Sequence, residues 1–129
     1  EQETLSHLYA CDFSEKAIEL LKTDDRFNPK RCTAFVADLT IPGSLSQAVP
    51  TASADVVTSI FVLSALPPEK FGLAVENVKA VLKEGGLWLI RDYAVNDAAQ
   101  LRFKEDRKIS DSLFVRQDGT LSYFFDKSI

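Results

Sequence analysis

The sequence contains no methionine, a single histidine and no pair of glycines spaced GxG. The missing methionine predicts a partial or processed segment, because the chain does not begin where translation begins. His7 stands alone in a polar stretch, so no Ser-His-Asp, Cys-His or zinc-ligand set exists. That removes the common hydrolase and metalloenzyme readings and predicts no bound metal. Without a GxG pair, the glycine loop that usually cradles phosphate at the opening of a parallel α/β fold is absent. No apolar run approaches the roughly 18 residues of a membrane span, and no charged-then-apolar leader opens the chain. The expectation is an intracellular soluble domain with no membrane partner, the choice among cytoplasm, nucleus and mitochondrion being open. Cys11 and Cys32 lack CxxC spacing and fall in or beside apolar strand-like runs, so they read as buried free thiols.

What is present fits one domain over residues 1–129. Hydrophobic residues make up 46% and include nine Phe, a supply of core and platform side chains that a solvated tail would not carry. The net charge of -4 is uneven. Residues 1–90 hold 8 Lys and Arg against 12 Asp and Glu, whereas residues 91–129 hold 7 of each. Any polyanionic partner must therefore be met by a local basic face.

Leu8–Asp12 reads as a short strand, followed by a helix capped by Ser14 with apolar positions Ala17, Ile18, Leu20 and Leu21. Thr33–Asp38 is the second strand, and a helical turn is expected around Leu45–Val49. The third strand, Asp55–Leu63, is almost continuously apolar and β-branched, the composition of a strand covered on both faces. Pro68 suits a first helical turn. Phe71, Ala74, Val75, Val78, Val81 and Leu82 then recur at helical spacing, predicting a helix that ends on a left-handed Gly85. Leu87–Asp92 is the fourth strand, a shorter helix spans Asp97–Lys104, and Leu113–Arg116 and Leu121–Phe125 flank a hairpin turn with positive φ at Gly119. Strand and helix alternate in the rhythm of βαβ units, hence an α/β fold with a parallel sheet, flanking helices and a C-terminal β-hairpin.

Ligands of such sheets bind beyond the carboxyl ends of the strands. Asp12 ends the first strand, where a carboxylate either takes both hydroxyls of a ribose or stabilises the dipole of the following helix. Asp38 ends the second, where it either reads an adenine edge with the next backbone N–H or closes an Asx turn. Ile60, Phe61 and Val62 end the third strand as an apolar wall or as core. Arg91, Asp92 and Tyr93 place two charges at the tail of an apolar strand, which demands a cleft or solvent. Arg102, Lys104, Arg107 and Lys108 form a basic group around Phe103, with Arg116 and Tyr123 on the hairpin. Basic and aromatic side chains together suit phosphates and unstacked bases, although Glu105 and Asp106 leave a plain solvated face equally open.

YACDFS (Tyr9 to Ser14), AFVADLT (Ala34 to Thr40), IFVLSA (Ile60 to Ala65), VLKEGG with LIRDY (Val81 to Tyr93), LRFK (Leu101 to Lys104) and VRQDGTLSYFF (Val115 to Phe125) resemble, in order and spacing, the methyltransferase-like family that makes 3-methylcytidine in tRNA anticodon loops. The resemblance implies a Rossmann-like class I methyltransferase domain, here partial, that uses S-adenosylmethionine to methylate cytidine N3. It implies that Asp12 holds the ribose, Asp38 and Leu39 the adenine, and that Ile60 contacts the cofactor. It also implies that Arg91, Asp92 and Tyr93 position the target base, and that Arg102, Lys104 and Arg116 meet tRNA phosphates. An aminoacyl-tRNA synthetase or other protein partner is left open, as are two other readings: a class I methyltransferase for a small molecule or protein, and a non-catalytic scaffold. The chain departs from the family at Pro67, Glu84, Ala94, Asn96 and Ala98. Relative to the family, the first glycine-loop strand, which would lie centrally in the sheet, and the closing strands are missing. The expected consequence is a divided or rearranged sheet.

Overall fold

A computed structural model describes residues 5–127. β1 (Leu8–Asp12) runs into α1 (Glu15–Thr23), which Ser14 caps by accepting the Ala17 N–H on Oγ at 3.2 Å. β2 (Cys32–Val36) pairs in parallel with β1, Asp12 opposite Val36. A 3-10 turn over Leu45–Gln47 leads to β3 (Ala54–Ile60). Two more 3-10 turns, the second opened by Pro68, precede α2 (Phe71–Val81), and β4 (Leu82–Arg91) returns parallel to β3, Ile60 opposite Arg91. One helical turn, α3 (Ala98–Leu101), follows. β5 (Lys108–Ser110), β6 (Leu113–Val115) and β7 (Leu121–Tyr123) form an antiparallel sheet.

The fold is mixed α/β with parallel strands, and β1–β2 and β3–β4 are separate two-stranded sheets, the divided arrangement expected from the sequence. A shared core holds them together: Leu45, Val49, Val78 and Val81 pack against Phe35 from the first pair and against Val57 and Trp88 from the second. Apolar burial of this kind contributes about 25 cal/mol per Å² removed from water, so α2 is the element that joins the halves. An aromatic cluster anchors the C-terminal sheet. Phe124, fully buried, contacts Tyr93, Phe103 and Phe114, and the Phe125 N–H donates to Tyr93 O at 3.0 Å.

Several expectations are corrected. α2 ends at Val81 rather than at Gly85, because Leu82 is already extended (φ -76°, ψ 135°) and pairs with Ala54. Gly85 does take a positive φ, 75°, but inside an irregularity of β4 where the register jumps from Leu82 to Leu87. Val75 is 44% exposed, and Asn77 takes its expected place in the buried stripe. The shorter helix covers only Ala98–Leu101. β3 ends at Ile60 and is covered on one face only, for Val56 and Ile60 are exposed while Val57 and Ser59 face the core side. Cys11 is at the surface, since the β1–β2 pair is packed by α1 on one side without a further layer; Cys32 is half-buried, and both thiols are free.

Candidate functional site

At the carboxyl end of β1, Asp12 closes an Asx turn: the Ser14 N–H donates to its Oδ1 at 2.8 Å. Asp38, two residues beyond β2, does the same with Thr40, whose N–H and hydroxyl donate to Oδ1 at 2.8 and 2.7 Å. The Thr40 hydroxyl, then the Thr40 N–H, and last the Lys70 ammonium hold the Asp38 carboxyl below the usual carboxylate range. In both acids the turn uses Oδ1, while Oδ2 has no hydrogen-bond partner among the described residues. Turn closure and ligand binding, the alternatives for Asp38 in the sequence, are thus compatible there, and at Asp12, where the alternative was helix-dipole stabilisation, an unforeseen Asx turn likewise leaves one oxygen open.

Asn77, 2% exposed on α2, holds the loop after β2 by donating from Nδ2 to Leu39 O at 3.0 Å and Ile41 O at 2.9 Å. Lys70, at the entrance to α2, lies within electrostatic reach of Asp38, and α2 begins just after the turns that leave β3.

On the second pair, Ile60 lies opposite Arg91, and the next residue, Phe61, adopts φ 54° with its N–H donating to Arg91 O at 2.8 Å. A bulky residue in the left-handed region costs on the order of 1–3 kcal/mol and persists only where its surroundings enforce it. The Phe61 ring lies 4.8 Å from that of Tyr93, and the Arg91 guanidinium is 5.6 Å above its centroid. Asp92 has both oxygens engaged, Oδ2 by the Ser64 N–H and Oδ1 by the Tyr93 N–H, each at 2.9 Å. It ties the Leu63–Ala65 turn to the end of β4. Arg116 reaches from the hairpin, donating from Nη2 to Tyr93 Oη at 2.8 Å and from Nε to the buried Ser122 Oγ at 2.9 Å.

Phe61, Tyr93, Arg102, Phe103 and Arg116 line an open cavity of about 500 Å³. A second, of about 540 Å³, shares Arg102 and Arg116 and adds Lys104 and Arg107. The residues expected to meet RNA are thus brought together, joined by Tyr93 from the base-positioning set; Asp12, Asp38, Leu39 and Ile60 line neither cavity. Among the described residues no group of three or more His, Cys, Asp or Glu is placed to hold a metal ion, and no helix is long and apolar enough to cross a membrane.

A family profile described as a methyltransferase domain matches residues 1–88, more than half of the chain. The chain belongs to this methyltransferase family. Its matched part holds both strand pairs up to Trp88, including Asp12, Asp38 and Ile60. This methyltransferase domain is also 48% identical over 125 residues to the rat tRNA N(3)-cytidine methyltransferase METTL6, an overlap of 97% of the chain and 43% of the relative. It is 50% identical over 118 residues to mouse tRNA N(3)-cytidine methyltransferase METTL2, covering 92% of the chain and 30% of the relative. Human METTL6, of the same description, is 50% identical over 117 residues, 91% of the chain and 41% of the relative. The chain thus spans less than half the length of these curated relatives.

Two features escaped the sequence. Asn77 carried a signal, a polar residue set in the apolar stripe of α2. Phe61 was visible as part of an apolar strand end, but its left-handed backbone was not.

Proposed function

We propose that the chain provides the cofactor-binding and base-facing parts of a tRNA (cytidine-N3) methyltransferase that uses S-adenosylmethionine. The observation that carries the reading is the pair Asp12 and Asp38, each with an unengaged carboxylate oxygen among the described residues, at the carboxyl ends of adjacent parallel strands. Two such acceptors fit a nucleoside: Asp12 takes the ribose hydroxyls, Asp38 and the Leu39 backbone the adenine, with Ile60 as apolar contact. When bound, S-adenosylmethionine supplies an electrophilic methyl group on a sulfonium. Cytidine N3 already carries the lone pair that attacks, so the protein needs no general base, only alignment and exclusion of water.

Arg91 and Tyr93 orient the base, and Asp92 does so indirectly by fixing the backbone of Ser64 and Tyr93. Arg102, Lys104 and Arg116 meet tRNA phosphates, where charge-assisted contacts position the RNA without reading its sequence. A tRNA substrate supports a site of action inside the cell. The decisive assay is methyl transfer to tRNA by the full-length protein, followed by mass analysis of the digested nucleosides. Asp38→Ala is expected to cut the formation of 3-methylcytidine at least tenfold by weakening cofactor binding. An unchanged rate would refute the adenine role of Asp38.

A further inference from the structure

Phe61 combines three features that packing does not reconcile. Its backbone is in the left-handed region at φ 54°, which disfavours a bulky residue. The residue remains 43% exposed, so burial does not offset that strain. The geometry is nevertheless fixed from several directions, by the Phe61 N–H on Arg91 O at 2.8 Å, by the Tyr93 ring at 4.8 Å and by the fully buried Phe124 behind Tyr93 at 5.5 Å. A strained, buttressed and half-exposed aromatic lining a cavity offers its flat face to a ligand. A planar group already lies over the ring, the Arg91 guanidinium at 5.6 Å. The same cavity carries Arg102 and Arg116, cations suited to the phosphates flanking a flipped nucleotide.

We propose that Phe61 is the stacking platform for the target base, a role that rests on the tRNA methyltransferase reading above and adds to it the residue that holds the ring plane. Tyr93, fixed by Arg116 through its hydroxyl, buttresses Phe61, and the cytosine lies on the open part of the Phe61 ring. Stacking orients N3 without reading hydrogen bonds, because every base has a π face. The base is extruded from its loop and gains on Phe61 the stacking it loses in the RNA.

The test uses the full-length protein with Phe61→Leu, which keeps apolar bulk and loses the flat face, and with Phe61→Tyr and Phe61→Trp, which retain it. Methyl transfer to tRNA cytidine, S-adenosylmethionine affinity by calorimetry and the thermal unfolding midpoint are measured for each. The Leu variant is expected to lose at least tenfold in kcat/KM for tRNA at unchanged cofactor affinity, and the Tyr and Trp variants to stay within about threefold of the parent. Equal activity of the Leu variant, failure of all three variants alike, or loss of cofactor affinity in step with activity would overturn the platform role. If the parent protein methylates no tRNA cytidine, the underlying reading falls and this inference with it.

Discussion

Asp38 shows how one side chain serves a turn and keeps capacity for a ligand. Two donors from Thr40 converge on Oδ1, so the ionised form is favoured before any ligand arrives. A carboxyl held below the ordinary Asp value of about 3.9 contributes stability that is present above that value and is lost as pH falls through the lowered one. The group is close to solvent, so the effect on global stability is small; in the proposed adenine role the ionised acid is favoured, because protonation would turn one acceptor oxygen into a donor. Thr40→Val removes the hydroxyl donor and leaves the N–H. The Asp38 pKa is then expected to rise toward the ordinary value, read by NMR titration of its carboxyl carbon. An unmoved titration would show that the hydroxyl is not the main cause.

At the scale of elements, α2 carries more than its apolar stripe. Its Val78 and Val81 bridge the strand pairs, and its Asn77 holds the loop that presents Asp38 and Leu39. Asn77→Asp keeps the shape but turns a double donor into an acceptor facing two carbonyls. The expected loss is about 1–3 kcal/mol in urea unfolding, with faster amide exchange over the loop from Leu39 to Ile41; unchanged stability would remove Asn77 from this role. The strands were legible because their apolar, β-branched runs are cut by Asp, Gly and Pro, and α1 because Ser14 precedes a periodic stretch. The end of α2 was not, since Leu82 continues the helical spacing while Gly85 offers a familiar cap, and only pairing of Leu82 with Ala54 across the sheet decides for strand. The left-handed Phe61 had no signature at all: nothing in IFVLS distinguishes a buried strand residue from one twisted out of register by the backbone of Arg91. The acids at the strand ends could be read because their position in an α/β fold limits what they can do; their Asx turns became visible only with the partners in place.

For the whole molecule, the division of the parallel strands has a thermodynamic consequence. Val56, Ile60, Leu87 and Leu89 form an exposed apolar face on β3–β4, each between 51% and 58% exposed, whereas parallel sheets ordinarily bury both faces. Asp12 and Asp38 belong to one strand pair and Ile60 to the other, with no strand-to-strand hydrogen bond between the pairs among the described residues. Their separation is set by packing around Val78 and Val81 and by the Asn77 hydrogen bonds to the loop after β2. A nucleoside cofactor bridging the two pairs would have to supply from its own binding free energy the ordering that a continuous sheet provides in advance, and preorganisation of this kind governs affinity more than contact area does. The 129-residue chain alone is therefore expected to bind S-adenosylmethionine weakly or not at all in calorimetry, while full-length rat METTL6 under the same conditions is expected to bind it measurably. The apolar face should also take up a hydrophobic dye such as ANS, and the full-length relative should take up far less. Micromolar cofactor binding by the chain alone would show that side-chain packing suffices to align the two pairs.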